Sequence, residues 1–359
     1  MAILRFIQPL NERDIIPEVS RCPEPYAFTA ADDEDVIFAA TTYYRPKLIY
    51  KACLDPKLSV PVKSSLASPF LRNPYTNLGH LSILPLEILS HILLLLPIPS
   101  LLTFRNTNQR ARIITSSLPE YRLITNHALS TLQALLHTQV AQHLTLASLS
   151  HLLRQNNCHT CGNYGMYLYL PLLQRTCNRC YNMDDSFKIL PITSHQTSYL
   201  PDDIIKAKIV GKLYLPDEEN HLNKYYQYII YPGPFEHPEP IYLVSTVLYP
   251  DFQSKYRLGD PYHLRDESTQ KSQGILEFPH LEVLDGGEVR VDGPRNCFGC
   301  IKGFGELFKR GDRGAGAGLP SGFDQAYNLM MRFYGRETYW EHFRWCADAQ
   351  GRWKQVRGW

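Results

Sequence analysis

Leu84-Pro85-Leu86-Glu87-Ile88-Leu89-Ser90-His91-Ile92-Leu93 opens the stretch that decides how this chain is read. Apolar residues fall at 85, 88, 89, 92, 93 and 96, the 3-4 spacing of one helix face. Ser82 is placed to cap the start, with Pro85 in the first turn, where a missing N–H costs nothing. Pro97 and Pro99 are expected to end the helix. A second short helix opens near Ser100 with Leu101, Leu102 and Phe104, and a third runs through Arg110 to Ile114.

Three short helices cannot bury Leu84, Pro85, Ile88, Leu89, Ile92, Leu93, Leu96, Leu101 and Leu102 against one another. A partner groove that takes an amphipathic helix uses such i, i+3, i+4 anchors. From Leu101 to Asn157 the chain carries Arg105, Arg110, Arg112, Arg122 and Arg154 against a lone Glu120, which suits an acidic partner. The competing reading of the same stripe is ordinary internal core.

Working outward, residues 1–77 are rich in proline and turn formers, with an acidic knot at Asp32, Asp33, Glu34 and Asp35. Short strands are expected at Ile37 to Ala40 and Val60 to Val62 within a partly ordered extension. Tyr121 to Leu136 and Leu146 to Leu153 read as two further amphipathic helices. After Asn157 the period changes to two, and Met166-Tyr167-Leu168-Tyr169-Leu170 alternates like a strand. Strands are expected at Ile241 to Tyr249, Leu281 to Leu284 and Glu288 to Val291, with a helical piece at Asp202 to Val210. Asp285-Gly286-Gly287 is a hairpin turn. Phe323 to Gln350 is a final helical stretch, and the tail from Arg352 to Trp359 reads as a disordered end.

Charge and composition bound the function. A formal net charge of +2 gives no whole-chain field that would drive the protein onto nucleic acid or an anionic membrane. The greasiest run, Ile92 to Pro99, falls far short of the roughly 18 residues needed to span a bilayer. Met1 to Asp14 is too interrupted for a signal peptide. Nine cysteines make an odd number, and six of them stand in C-x-x-C pairs. Without a secretory signal, that spacing favours reduced thiolates on a metal over a disulfide framework, and the cytoplasm or nucleus as the location.

Cys158-His159-Thr160-Cys161-Gly162 and Cys177-Asn178-Arg179-Cys180 make C-x₂-C-x₁₅-C-x₂-C. Two such knuckles close a tetrahedral Cys₄ zinc site with no position left for water, hence structural. Gly162 and Asn178 suit the positive-φ positions of these turns. Cys297-Phe298-Gly299-Cys300 supplies half of a second site, and His342 with Cys346, a helical turn apart, supplies the other half. A single RING domain is not expected, because its ligands would interleave within a short segment. His280 is the reserve partner for the Cys297 pair.

The first stretch resembles an F-box: Leu84-Pro85-x-Glu87-Ile88-Leu89-x-x-Ile92-Leu93-x-x-Leu96, then Pro99, Leu101-Leu102 and the basic Arg110 and Arg112. The motif would cover residues 78–117. Where the family often carries Trp after the basic residue, this chain has Ala111. Tyr121, His127-Ala128-Leu129, a Leu-rich helix and the two C-x-x-C pairs resemble the layout of fungal-type F-box proteins. That resemblance implies apolar contacts to the Skp adaptor of an SCF ubiquitin ligase, and through it a cullin and a RING subunit.

Other signals are set aside. Gly314-Ala315-Gly316-Ala317-Gly318 lacks the following Gly-Lys-Ser/Thr of a phosphate cradle. No G-x-S-x-G elbow is present, and the paired cysteines read as structural rather than nucleophilic. The expectation is therefore an α+β protein. Residues 1–77 are an extension, 78–117 the F-box, 118–190 a helical pair with a Cys₄ module, and 191–359 a mixed module with a second zinc site. It would act as a non-catalytic receptor that presents an unknown target protein. The rival is a zinc-dependent interaction or nucleic-acid-binding protein not coupled to ubiquitination.

Overall fold

Breakers set the helices of residues 77–154. In the computed structural model, which describes residues 12–29, 32–43, 65–67, 77–137, 140–170, 172–183, 187, 189–193, 211–213, 241–245, 275–284, 287–311 and 323–358, the first long helix is Leu86–Leu95. Pro85 holds its N-cap position without a side-chain bond. Ser82 does not cap it: the Ser82 hydroxyl accepts from the Leu78 N–H around the preceding 3₁₀ turn, Gly79–Ile83. Pro97 and Pro99 open the next helix, Ile98–Arg105, with Pro99 in the first turn where no N–H is needed. Asn108 caps Gln109–Ser117 through the Ala111 N–H at 2.8 Å.

The helix expected over Tyr121 to Leu136 is two helices, Pro119–His127 and Leu129–His137, broken at Ala128 with φ −133°. No proline or glycine marks that break. Ala128 is buried between Ile124 and Leu132 in one core, so tertiary packing overrides the local helix preference. Leu146–Arg154 follows, started by a reciprocal Thr145–Ser148 capping box.

This core continues into the first cysteine module. Tyr167–Tyr169 is the middle strand of an antiparallel sheet between Gln174–Thr176 and Ile275–Glu277, and all three of its residues are buried. Arg175, on the neighbouring strand, is 2% exposed. Its guanidinium donates to the carbonyls of Leu152, Leu153, Gly165, Phe278 and Pro279 and lies 4.6 Å from the Phe278 ring centre. Burial lowers its pKa to about 10. One side chain thus ties the end of the Leu146–Arg154 helix to the sheet.

A second core joins the two ends of the chain. Ile16 and Ile37 pack with Tyr334, Tyr339, Phe343, Cys346 and Trp353. Residues 34–41 form a helix rather than the strand expected at Ile37 to Ala40, because the Asp33 carboxylate caps the N–H groups of Asp35 and Val36. Thr42–Tyr43 then pairs antiparallel with Asn296–Cys297, and Arg21 forms a bridge to Cys346. The Tyr339 hydroxyl donates to Thr41 Oγ1 at 2.8 Å. Asp35 pairs with Arg336, and Asp32 with Arg357 at 3.2 Å.

The C-terminal helices are Phe298–Gly311, Phe323–Met330, Arg336–Trp345 and Ala347–Arg357. The last corrects the expected disordered tail: Trp353 is 5% exposed, and Gly358 at φ +77° gives the helix its left-handed terminus. His280–Val283 pairs with Val289–Asp292 as a hairpin, and Ile241–Ser245 lies between Ile189–Thr193 and Gly211–Leu213. The expected features at Val60 to Val62, Asp202 to Val210 and Gly314 to Gly318 lie outside the described residues, as do Asp285 and Gly286. No helix among the described residues is long and apolar enough to cross a membrane.

Candidate functional site: an apolar face and two thiol clusters

The nine apolar residues of the first stripe divide between two environments. Leu89, Leu93 and Leu101 are 4%, 1% and 0% exposed and belong to the protein's own core. Leu96 and Leu102 are half-buried against that core, and Leu84 is half-buried. Ile88 and Ile92 are 50% and 43% exposed, and Pro85 is exposed beside them. Sequence periodicity missed the rest of the outer face, Ile83, Leu86 and Leu95, at 81%, 53% and 72%. Ile88, Ile92 and Leu95 stand at i, i+4 and i+7, so one side of the helix is an apolar stripe in solvent. Ala111 is fully buried, which puts the departure from the usual Trp on the inner side.

The rear of this helical unit is fastened by arginine. Arg105, 1% exposed, donates to the Ser65 carbonyl at 2.8 Å and lies 5.6 Å from the Tyr121 ring centre. Arg112 reaches the same carbonyl at 3.1 Å, and the Tyr121 hydroxyl donates to Leu66 O at 2.9 Å. These basic residues, expected to steer an acidic partner, are in part internal: burial lowers the Arg105 pKa.

Cys158, Cys161, Cys177 and Cys180 are all buried, and their sulfurs lie within 4.8 Å of one another. The first knuckle closes through Gly162 N–H to Cys158 O, with Gly162 at φ +73° as its spacing implies. Asn178 is not at positive φ; it opens the helix Asn178–Met183. The Cys180 N–H points at Cys177 Sγ at 3.4 Å, and Asn163 Nδ2 donates to Cys161 Sγ at 3.2 Å. Cys158 is held far below the ordinary thiol range by S–H donation from Cys161, Cys177 and Cys180. Cys177 and Cys180 are pushed far up, above all by their bonds to Cys158. Four thiolates cannot coexist at this spacing without a cation.

Cys297, Cys300, His342 and Cys346 form the second buried cluster, again within 4.8 Å. Cys300 Sγ lies 3.4 Å from His342 Nε2 and 3.9 Å from Cys346 Sγ, which is 3.9 Å from Cys297 Sγ. His342 Nδ1 sits 3.0 Å from the Tyr334 hydroxyl. Burial disfavours a charged imidazole there, and the Cys346 and Cys297 thiolates outweigh it, raising His342 well above its usual value. Gly299 lets the knuckle meet the last helix, since a Cβ there would fall 2.5 Å from Ala349 N. His280, the reserve ligand, is elsewhere, with Nε2 3.2 Å from Arg154 O and Nδ1 3.8 Å from Asp292. Both clusters present donor sets able to hold a metal ion.

The sequence model of the F-box domain family matches residues 81–123. That span covers the exposed stripe and ends in the Pro119–His127 helix. No curated protein and no solved structure matches the chain.

Proposed function

We propose that this F-box protein is a non-catalytic substrate receptor of an SCF-type ubiquitin ligase. Its F-box would take the Skp adaptor, and through it a cullin and RING subunit, while the C-terminal region takes a target protein. The observation that carries this reading is the solvent-facing row Ile83, Leu86, Ile88, Ile92 and Leu95 inside the F-box domain. Isoleucine and leucine at that exposure are costly to leave wet, and an i, i+4, i+7 row is the pattern of helix-in-groove docking. A receptor contributes to rate by holding the target near the loaded conjugating enzyme, which raises effective concentration.

We further propose zinc as the occupant of both thiol clusters. Cys₄ and Cys₃His are donor sets of structural zinc, closed to water. The shortest donor separations, 3.4 to 3.9 Å within clusters that span at most 4.8 Å, lie near the edges of about 3.3 to 3.8 Å of a tetrahedron with bonds of about 2.0 to 2.3 Å. Clusters of reduced thiols suit the cytoplasm or nucleus. Co-purification of the Skp adaptor with the full chain tests the receptor reading. An adaptor-free preparation, monodisperse and zinc-loaded, would favour the rival zinc-dependent interaction protein.

A further inference from the structure

Residues 330–334 close the helix Phe323–Met330 and lead into Arg336–Trp345, and this short segment is tied to both thiol clusters. On the side of the first cluster, Asn178 stands between Cys177 and Cys180 and donates through Nδ2 to the Met331 carbonyl at 3.0 Å. On the side of the second, Asn296 immediately precedes Cys297. Its Nδ2 donates to the carbonyls of Met330 at 3.2 Å and Arg332 at 2.8 Å. The two asparagines are 4% and 3% exposed, so water does not replace these partners cheaply.

A second series of contacts reaches ligand atoms at both ends. Asn163 donates through Nδ2 to Cys161 Sγ at 3.2 Å, and its Oδ1 accepts from the Arg332 guanidinium at 3.0 Å. Arg332 lies over the Tyr334 ring, 5.3 Å from its centre. Tyr334 exchanges both backbone hydrogen bonds with Arg295, at 2.8 and 3.0 Å, and its hydroxyl meets His342 Nδ1 at 3.0 Å.

Metal loading would change both ends of this series. A metal-bound thiolate accepts a hydrogen bond more strongly than a thiol, which holds Asn163 harder to Cys161. An imidazole that gives its Nε2 lone pair to a metal keeps Nδ1–H to donate to Tyr334. Either event restrains residues 330–334, and the cost of ordering them then no longer opposes binding at the other cluster.

We propose that the two clusters bind metal cooperatively, with Asn178 and Asn296 as the positioning residues that couple them through residues 330–334. The inference rests on the zinc reading above and deepens it: loss of one ion loosens the other.

Cobalt(II) tests this on the full chain, because an imidazole in place of one thiolate gives the Cys₃His site an absorption spectrum distinct from that of the Cys₄ site. Affinity at each site is read by competition with a chelator. Asn178→Ala keeps every ligand and should weaken the Cys₃His site at least about fivefold, although Asn178 belongs to the other knuckle. Asn296→Ala should weaken the Cys₄ site to a similar degree. Cys180→Ser, which disables the first site, should match the cross effect of Asn178→Ala, and combining the two should weaken the second site no further. Leu93→Ala, a core change in the F-box, should leave the Cys₃His affinity within about twofold. Cross effects missing from both asparagine variants overturn the coupling. So does an equal loss in Leu93→Ala, which would mark a general loss of stability. The asparagine variants decide the matter if the serine variant fails to fold. A parent chain that takes up no metal at either cluster defeats the zinc reading and the coupling together, whereas two ions bound independently defeat the coupling alone.

Discussion

The Tyr334 hydroxyl lies 3.0 Å from Nδ1 of His342, and the two rings stack with centroids 4.6 Å apart. Nε2 is turned to Cys300, so a metal held there would take the Nε2 lone pair and leave Nδ1–H to donate to the phenol oxygen. The two side chains are fully buried, so neither has water as a substitute partner.

Tyr334→Phe should therefore keep the stacked ring but lower zinc affinity at the second cluster by about 10- to 100-fold. Competition with a chromophoric chelator measures it. Unchanged affinity would show that the hydroxyl does not orient the imidazole.

Cys300→Ser and Cys158→Ser should each remove one zinc ion, taking the stoichiometry from about two to about one. The regional consequences differ. Loss of the second site should expose residues 12–43 to limited proteolysis, because Thr42 and Arg21 pair directly with Cys297 and Cys346. Cys158→Ser should leave that segment protected. Identical cleavage patterns for the two variants would contradict this division.

Within the F-box, inner and outer positions should separate cleanly. Ile88→Asp, at a half-exposed site, should abolish adaptor co-purification with little change in melting temperature, since buried interface anchors contribute about 2 kcal/mol or more. Leu93→Ala should cost about 2–5 kcal/mol of folding stability through the cavity it leaves. Retained adaptor binding by Ile88→Asp would show that the outer face is not the interface.

Arg175→Met tests a charge whose described partners are carbonyl groups. The substitution strips hydrogen bonds from five carbonyls, three of them in buried contacts, and each buried one left unpaired costs about 1–3 kcal/mol. Chemical denaturation should show several kcal/mol of destabilisation. A gain in stability would mean that desolvating the guanidinium costs more than its bonds return.

The thiol clusters were legible because ligand chemistry writes itself at fixed offsets, C-x-x-C and His-x₃-Cys. The helix at Leu86–Leu95 was legible from its 3-4 spacing, but its division into inner Leu89 and Leu93 and outer Ile88, Ile92 and Leu95 was not. Adjacent stripes on one helix look alike until the packed side is known. Ile37 to Ala40 misled because a short apolar run fits helix or strand equally, and the deciding Asp33 cap was read only as part of an acidic knot. Arg175 carried no signal, since nothing local marks a buried cation. Nor does any period announce that Thr42 pairs with Cys297.

The contact between Tyr339 and Thr41 joins residues 298 positions apart in the chain. During synthesis at roughly 5–20 residues per second, the early segment leaves the ribosome about 15 to 60 s before its partner helix exists. The F-box helices, which pack on one another, can mature in that interval, whereas the Cys₄ module still awaits the strand Ile275–Glu277. Ile16, Ile37 and Phe38 meanwhile have no core to enter. The nascent chain thus holds its F-box helices ready while the segment that carries Ile16 and Ile37 awaits the last helices, and a chaperone able to shield that early segment would set the yield of finished protein.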